Sequence, residues 1–300
     1  MVSKFTSSQP AIGIIGGTGL YDLPELEHSQ WVAIDSAFGL PSDELMFGEI
    51  DGVRLVFLPR HGRGHRLSPT EINYRANIEV LKRAGVTQII SFSAVGSLND
   101  QLKPGTFVMV DQFIDRTFSR NKTFFGDGLV AHVSMAQPVC GRMVGSLTDV
   151  SDASSIEFCS GGTYLVMEGP QFSTLAESEL YRSWGADVIG MTNMPEAKLA
   201  REAELCYSTV AMVTDYDCWH PDHENVSVGA IMRVLEENLE NARILIRGVA
   251  QKLAAHSGPC IDQCDRSLEH AITTTQEARR IEAVGRLRVV ADRVLTTRTE

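Results

Sequence analysis

The chain has 300 residues, 43% of them hydrophobic, and a formal net charge of −11. That apolar content is sufficient for a sizeable core and excludes a disordered chain. The acidic balance argues against a nucleic-acid backbone or an anionic membrane as partner. In chain order, short runs rich in Val and Ile alternate with helical patterns, which predicts an α/β fold built on a mixed sheet. Strands are expected at residues 11–15, 53–58, 87–92, 106–111, 164–167, 187–189 and 206–213. Ser68-Pro69-Thr70-Glu71 reads as a helix start, with Ser as N-cap, Pro in the first turn and Glu three residues after the cap. That helix should run to about Ala84 and stop at Gly85. A second helix is expected from Ser173 and Thr174 to just before Gly185, and a third from Pro195. Apolar residues from Val228 through Ile231, Met232, Leu235, Leu239, Ala242, Leu245 and Val249 to Leu253 keep helical spacing and predict one long amphipathic helix. Another helix is expected after Cys264, and beyond Gly285 a peripheral helix or a frayed tail.

No window of about eighteen apolar residues is free of charge, so no transmembrane helix is expected. Residues 1–10 are polar and lack a signal-peptide core. Cys140, Cys159, Cys206 and Cys218 lie far apart in sequence and read as reduced thiols of a cytoplasmic protein.

Several strand ends carry residues suited to ligand chemistry. Gly16-Gly17-Thr18-Gly19 is a strand-to-loop turn whose backbone N–H groups can approach an anion, with Thr18 as a hydroxyl donor. A dinucleotide loop fits poorly, because Asp22 stands where its third glycine would fall; a structural turn is the other reading. Arg60-His61-Gly62 offers a bidentate fork and an imidazole for phosphate oxygens. The same triplet opens the histidine phosphatases, which would make His61 a nucleophile. Ser91 to Leu98 follows a strand with small residues that admit a ligand or a closely packed helix. Three such loops at three strand ends favour one shared anion pocket. Phe172 stacks on an aromatic ligand or, more commonly for Phe, joins the core. Met191 fits a sugar face or fills core, and Thr192 offers another hydroxyl. Asp215 and Asp217 end an apolar strand. They suit a metal, a purine edge or solvent, and no clear metal-ligand spacing accompanies them. Continued extended structure would aim both acids at one ligand, with Tyr216 pointing away.

Taken together, the motifs resemble the S-methyl-5′-thioadenosine phosphorylases, of the trimeric purine nucleoside phosphorylase superfamily, over about Ile12 to Leu253. Those that carry the likeness are residues 16–21, Arg60-His61-Gly62, Asn73-Tyr74-Arg75-Ala76-Asn77, residues 111–117, Glu168-Gly169-Pro170, Met191-Thr192 and residues 215–219. The resemblance implies a nucleoside phosphorylase-like single domain, a mixed twisted sheet surrounded by helices. Residues 1–255 would form its phosphorylase body and residues 256–300 a C-terminal helical extension. It implies phosphorolysis of methylthioadenosine to adenine and 5-methylthioribose 1-phosphate, with phosphate as co-substrate and neither a metal nor an organic cofactor. Purine nucleoside phosphorolysis of adenosine or methylthioinosine is the alternative, and histidine phosphatase chemistry on His61 a more distant one. It implies phosphate contacts from Thr18, Arg60, His61, Ser93, the backbone of Ala94, and Thr192. Substrate contacts would come from Phe172, Ser173, Met191, Asp215 and Asp217. Val228 and Ile231, with Met232 or Leu235, would line a methylthio pocket that His132 reaches from a neighbouring subunit. Asp215 would face N7 and Asp217 the 6-amino group; the 6-oxo relatives carry Asn at the first position. A homotrimer, or a dimer of trimers, is implied as well. Ser93 replaces a Thr found in some members, and the tail from about His256 is longer than in compact ones. Cys260-Ile261-Asp262-Gln263-Cys264 is similar to cysteine pairs of some archaeal members that form disulfides, with different spacing, so reduced thiols are expected here.

Overall fold

Short β-branched runs in the first third of the chain form the strands that frame the molecule. The structure is a computed structural model describing residues 10–17, 19–21, 23–222, 227–256 and 258–295. Its strands are β1 (Ala11–Gly16), β2 (Glu27–Val32), β3 (Leu45–Ile50), β4 (Val53–Pro59), β5 (Val86–Ser97), β6 (Phe107–Val110), β7 (Gln112–Asp115), β8 (Phe158–Ser160), β9 (Thr163–Val166), β10 (Val188–Gly190) and β11 (Cys206–Asp215). All join one mixed sheet, in the order β2-β3-β4-β1-β5-β10-β9-β7, with β11 and then β6 and β8 branching from β5. The helices are α1 (Tyr74–Arg83), α2 (Gly141–Asp152), α3 (Leu175–Ser183), α4 (Asn193–Glu202), α5 (Val228–Ala254), α6 (Ile281–Arg286) and α7 (Arg288–Leu295). They surround the sheet, giving a single α/β domain.

β5 is the hub. Its first half pairs in parallel with β1 on one side and β11 on the other, and its end pairs antiparallel with β10 at Gly96 and Ser97. β1 also pairs in parallel with β4. The carboxyl ends of β1, β4, β5 and β11 therefore share one edge, where an open α/β sheet presents its ligand crevice. The small residues after Phe92, expected as a loop, continue the strand to Ser97. This stretch pairs with β11 on one side and, at Gly96 and Ser97, with β10 on the other.

Two buried clusters fill the faces. One joins β1, β4, β5 and β11 to α1, α4 and α7 through Ile78, Leu81, Ala200, Leu287 and Val290. The other packs Ala242, Leu245, Ile246, Val249 and Leu253 of α5 against Ile12, Ile90 and Val210. Only the second half of α5 is buried this way. Val228 and Met232, in its first turns, are exposed, so the predicted apolar stripe is not continuous core.

Two further expectations change. Ser68 and Glu71 do bond each other, but they close a turn, and α1 begins six residues later with Asn73 as N-cap, its side chain accepting from the Ala76 N–H. Directly after Cys264 a short 3-10 turn to Arg266 forms, and the next α-helix is α6. The β-branched run at Ile272 and Thr273 is instead extended and bonds the backbone at Val130 to His132. Of the two readings of the tail beyond Gly285, residues 286–295 take the helical one, with Leu287, Val290 and Ala291 fully buried. Lys82 donates to the carbonyls of Ala203 and Val290, tying this segment to α1 and α4.

Candidate active site

At the shared sheet edge, β4 delivers Arg60 to a buried position, 2% exposed. Its backbone N–H donates to the Gly16 carbonyl, which ties the first glycine loop to the second strand end. The guanidinium forms a bidentate pair with Glu196 of α4, Nε to Oε2 at 2.8 Å and Nη2 to Oε1 at 3.0 Å. Nη1 donates to the Phe92 carbonyl and Nη2 also to Ser91 Oγ. Four of its five N–H donors are thus used within the chain, leaving one on Nη1. Burial works against the charge, but the Glu196 carboxylate outweighs it and holds the Arg60 pKa above the usual value. Glu196 accepts further from Ser91 and Tyr207, and Asn193 bonds Ser91, Tyr207 and Thr209. This network was not legible in the sequence: its members come from β4, β5, α4 and β11.

Next to it lies a cluster of hydroxyls. Ser93 Oγ is 3.0 Å from Tyr164 OH and 3.3 Å from Thr192 Oγ1. Thr192 is the N-cap of α4 but its side chain makes no cap bond, so the hydroxyl is directed at Ser93 instead. Ala94 follows Ser93 on β5. Tyr164 is an addition that sequence reasoning placed only as a strand residue. Arg60, Ser93 and Thr192 are therefore brought together around Ser91 and Phe92. Thr18 lies outside the described residues.

His61 is adjacent to Arg60 but occupied. Its Nδ1 lies 2.8 Å from the Leu67 carbonyl, and its ring stacks on His65 at 4.1 Å. Burial lowers its pKa to about 4, with the Arg60 and His65 charges adding to the fall. The ring is neutral at physiological pH, with the Nδ1 proton on Leu67 and Nε2 as an acceptor.

The acid pair sits three residues further along β5. A register shift after Val213 places Asp215 opposite Gly96. β11 ends there, and Asp217 takes a positive φ of 51°, a conformation Asp tolerates better than most residues. The acids converge through a turn in which the Asp217 N–H donates to Asp215 Oδ1 at 2.8 Å. Strand alternation, the expected cause, plays no part. Asp215 Oδ2 accepts from Thr214 at 2.8 Å, whereas Asp217 Oδ2 is buried without a partner among the described residues. Burial raises both pKa values above that of ordinary aspartate. For Asp215 the Thr214 and Asp217 hydrogen bonds oppose the rise and the Asp217 charge adds to it. For Asp217 the hydroxyls of Ser178 and Ser173 oppose it. Gly96 leaves the room: a Cβ there would lie 2.9 Å from Asp215 Oδ1 and 3.4 Å from Asp217 Cβ.

Around this end, the Ser173 carbonyl accepts from Cys218 Sγ at 3.4 Å. Phe172 is 42% exposed, so it is not the core residue its type favours. Met191 packs at Gly169, where a Cβ would meet its Sδ at 2.5 Å. Arg120, unnoticed in the sequence, is buried and donates to the carbonyls of Met191, Met194 and Glu168, which fixes both loops. Val228 is exposed and Ile231 half-buried at the start of α5. The helix is anchored nearby through Arg243 to the Gly19 carbonyl and Asn238 to the Val213 carbonyl. His132 is exposed, and its backbone N–H donates to Ala271.

Comparison with known proteins gives a consistent set of matches. Residues 11–251 match the model of the phosphorylase superfamily. The S-methyl-5′-thioadenosine phosphorylase of Rhodospirillum rubrum is 58% identical over 96% of this chain and 98% of its own. A methylthioadenosine phosphorylase from an antarctic soil metagenomic library superposes with a TM-score of 0.89 at 47% identity, over 95% of this chain and 99% of that one. A mutant adenosine/methylthioadenosine phosphorylase of Schistosoma mansoni, in complex with adenine, superposes at 0.78 with 35% identity, over 83% and 93%.

Proposed function

The chain belongs to the phosphorylase superfamily, and from that premise we propose phosphorolysis of S-methyl-5′-thioadenosine, giving adenine and 5-methylthioribose 1-phosphate. Family membership displaces the phosphatase alternative. The observation that carries the reading is that one strand, β5, holds both ends of the site: Ser93 within the hydroxyl and arginine cluster, and Gly96 beneath the acid pair.

In this scheme phosphate is bound by Ser93, Thr192, the backbone at Ala94 and Thr18, by His61 Nε2 accepting the P–OH proton of HPO4²⁻, and by one Nη1–H and the charge of Arg60. Because Glu196 neutralises much of that charge, hydroxyls and backbone groups carry more of the binding than a free guanidinium would require. A phosphate oxygen attacks C1′ as the bond to N9 breaks, and the bonding pair leaves with the purine. The base takes a proton at N7, supplied by Asp215 with its raised pKa. Asp217 Oδ2, buried and unpartnered, accepts from the 6-amino group. Phe172 and Ser173 border the base, Met191 the ribose, and Val228 and Ile231 the methylthio group. His132 approaches that group from a neighbouring protomer of a homotrimer. Phosphate is the co-substrate, and the scheme calls on no organic cofactor. No helix among the described residues is long and apolar enough to cross a membrane, which suits a cytoplasmic salvage enzyme. Residues 256–300 are proposed as part of the same folding unit as residues 1–255.

Incubation with methylthioadenosine should release adenine only when phosphate is present. Release that ignores phosphate, or none at all, would overturn the reading. Adenosine and methylthioinosine in parallel rank the specificities, with 6-aminopurines expected to lead.

A further inference from the structure

Four of the six cysteines, scattered over more than a hundred residues, meet at one buried point. Cys140, Cys206, Cys260 and Cys264 place their sulfurs all within 4.8 Å of one another. They are 0%, 5%, 6% and 1% exposed. We propose that these four side chains bind one zinc ion as a tetrahedral four-thiolate site.

The geometry suits a single ion. With Zn–S bonds of about 2.3 Å, a tetrahedron sets its sulfurs about 3.8 Å apart. Cys140 and Cys260 lie at 3.6 Å. Cys260 and Cys264 form a C-x3-C pair, within the usual spacing of two zinc ligands on one turn. That turn is shaped by the Gln263 N–H donating to the Cys260 carbonyl and by the left-handed conformation of Gln263. The other two ligands are presented by separate elements: Cys140 is the residue before α2 and Cys206 the first of β11. Soft thiolates in a tetrahedral set select zinc over calcium or magnesium, which need oxygen ligands.

The surroundings suit the resulting charge. Four thiols lose four protons on binding, so the complex carries a net charge of about −2. Arg142 and Arg201 lie close enough to Cys206 and Cys264 to act on their charge. Asp262 Oδ2 is 3.4 Å from Cys140 Sγ and also accepts from the Arg142 N–H at 3.0 Å. When Cys140 releases its proton to solvent and its thiolate binds the ion, Asp262 keeps the bond from the Arg142 N–H. The ion would clamp the start of the C-terminal segment to α2 and to the central strand β11. The expectation of no metal came from the family resemblance, and sequence spacing hides a set assembled from three separate places. The site stands apart from the acid pair and does not depend on the phosphorolysis reading.

The test is metal analysis of the reduced full chain, purified without a metal-affinity tag or added chelator. About one zinc per chain is expected. Cys159→Ser should retain it, and Cys264→Ser should lose most of it. Replacement by Co2+ should give the intense thiolate charge-transfer and visible bands of a tetrahedral sulfur site. Stripping the ion with a chelator and a thiol-blocking reagent should lower Tm by about 5 °C or more. Wild-type protein with under a tenth of an equivalent of zinc, which takes up neither Zn2+ nor Co2+ after reduction, would overturn the proposal whether or not the variants fold. So would iron in zinc's place.

Discussion

Asp215 and Asp217 can be separated by what each oxygen already holds. Both Asp215 oxygens accept internal bonds, while Asp217 keeps one buried oxygen free. Asp215→Asn should therefore keep the turn but lose the acid. We predict that the preference for methylthioadenosine over methylthioinosine falls about tenfold or more, since an unmatched group at a buried base edge costs about 1–3 kcal/mol. The pH profile supplies a second readout. The acid must be protonated to act, and its pKa is raised by burial, so kcat/KM should fall as pH climbs past that raised value. In Asp215→Asn that limb should flatten; an unchanged profile would remove Asp215 from the proton's path. Glu196 is a different case. Removing it leaves Arg60 charged and buried with no counter-ion, and Glu196→Ala should cost about 3–5 kcal/mol. Urea unfolding measures it, and an unmoved midpoint would show the pair to be dispensable. At this scale the sequence marked Arg60, Ser93, Thr192 and the acids by their places at strand ends. It was silent about Glu196, Tyr164 and Arg120, because a buried polar partner carries no local pattern. The cysteines make the same point: Cys140, Cys206 and the Cys260–Cys264 pair lie far apart along the chain and meet only after folding.

At the scale of elements, legibility followed periodicity. The span of α5 was readable because apolar residues recur at helical spacing, yet which half is buried was not, since exposure depends on what the helix meets. We predict that Leu245→Ala costs about 2–5 kcal/mol, as a fully buried side chain. Val228→Ala should change stability of the isolated chain by less than about 0.5 kcal/mol. Differential unfolding of the two variants checks both, and equal losses would mean that the first turns of α5 are also core. α2 escaped detection although Met143, Leu147 and Val150 keep helical spacing, because it contains two glycines and starts at Cys140 without a side-chain cap. β5 was recognised only up to Phe92, because Ser, Ala and Gly are poor strand formers without tertiary support. Gly96→Ala tests what that continuation is for. The new methyl should press on Asp215 and Asp217 and lower kcat/KM about tenfold with little loss of Tm; full activity would show that the close approach is not needed.

For the whole molecule, two buried groups give pH dependences of opposite sign. His61 falls from 6.5 to about 4 in the fold, so the unfolded chain binds the extra proton and stability is lost as pH drops through that window. Glu202 accepts from Thr123 and the Phe124 N–H, yet burial raises its pKa from 4.5 to about 7. Here the folded chain holds the extra proton, and stability is lost as pH rises through that window. Between about pH 4.5 and 6.5 the two oppose each other. Glu202→Gln should therefore expose the His61 slope, with Tm rising with pH, and His61→Asn should expose the opposite slope. Melting curves across that range test both, and parallel curves for the two variants would refute the assignment.

The branching of β5 has a geometric consequence. Because one continuous strand carries Ser93 and Gly96, the separation between the two ends of the crevice is set by backbone pitch, about 3.3 Å per residue or about 10 Å in all. The strand acts as a ruler that no side-chain rotamer can adjust, held along this stretch by β11 on one side and at its end by β10. Specificity for length is then written in the main chain. A single inserted residue between Ala94 and Gly96 would lengthen the span by one step and turn the following side chains to the opposite face.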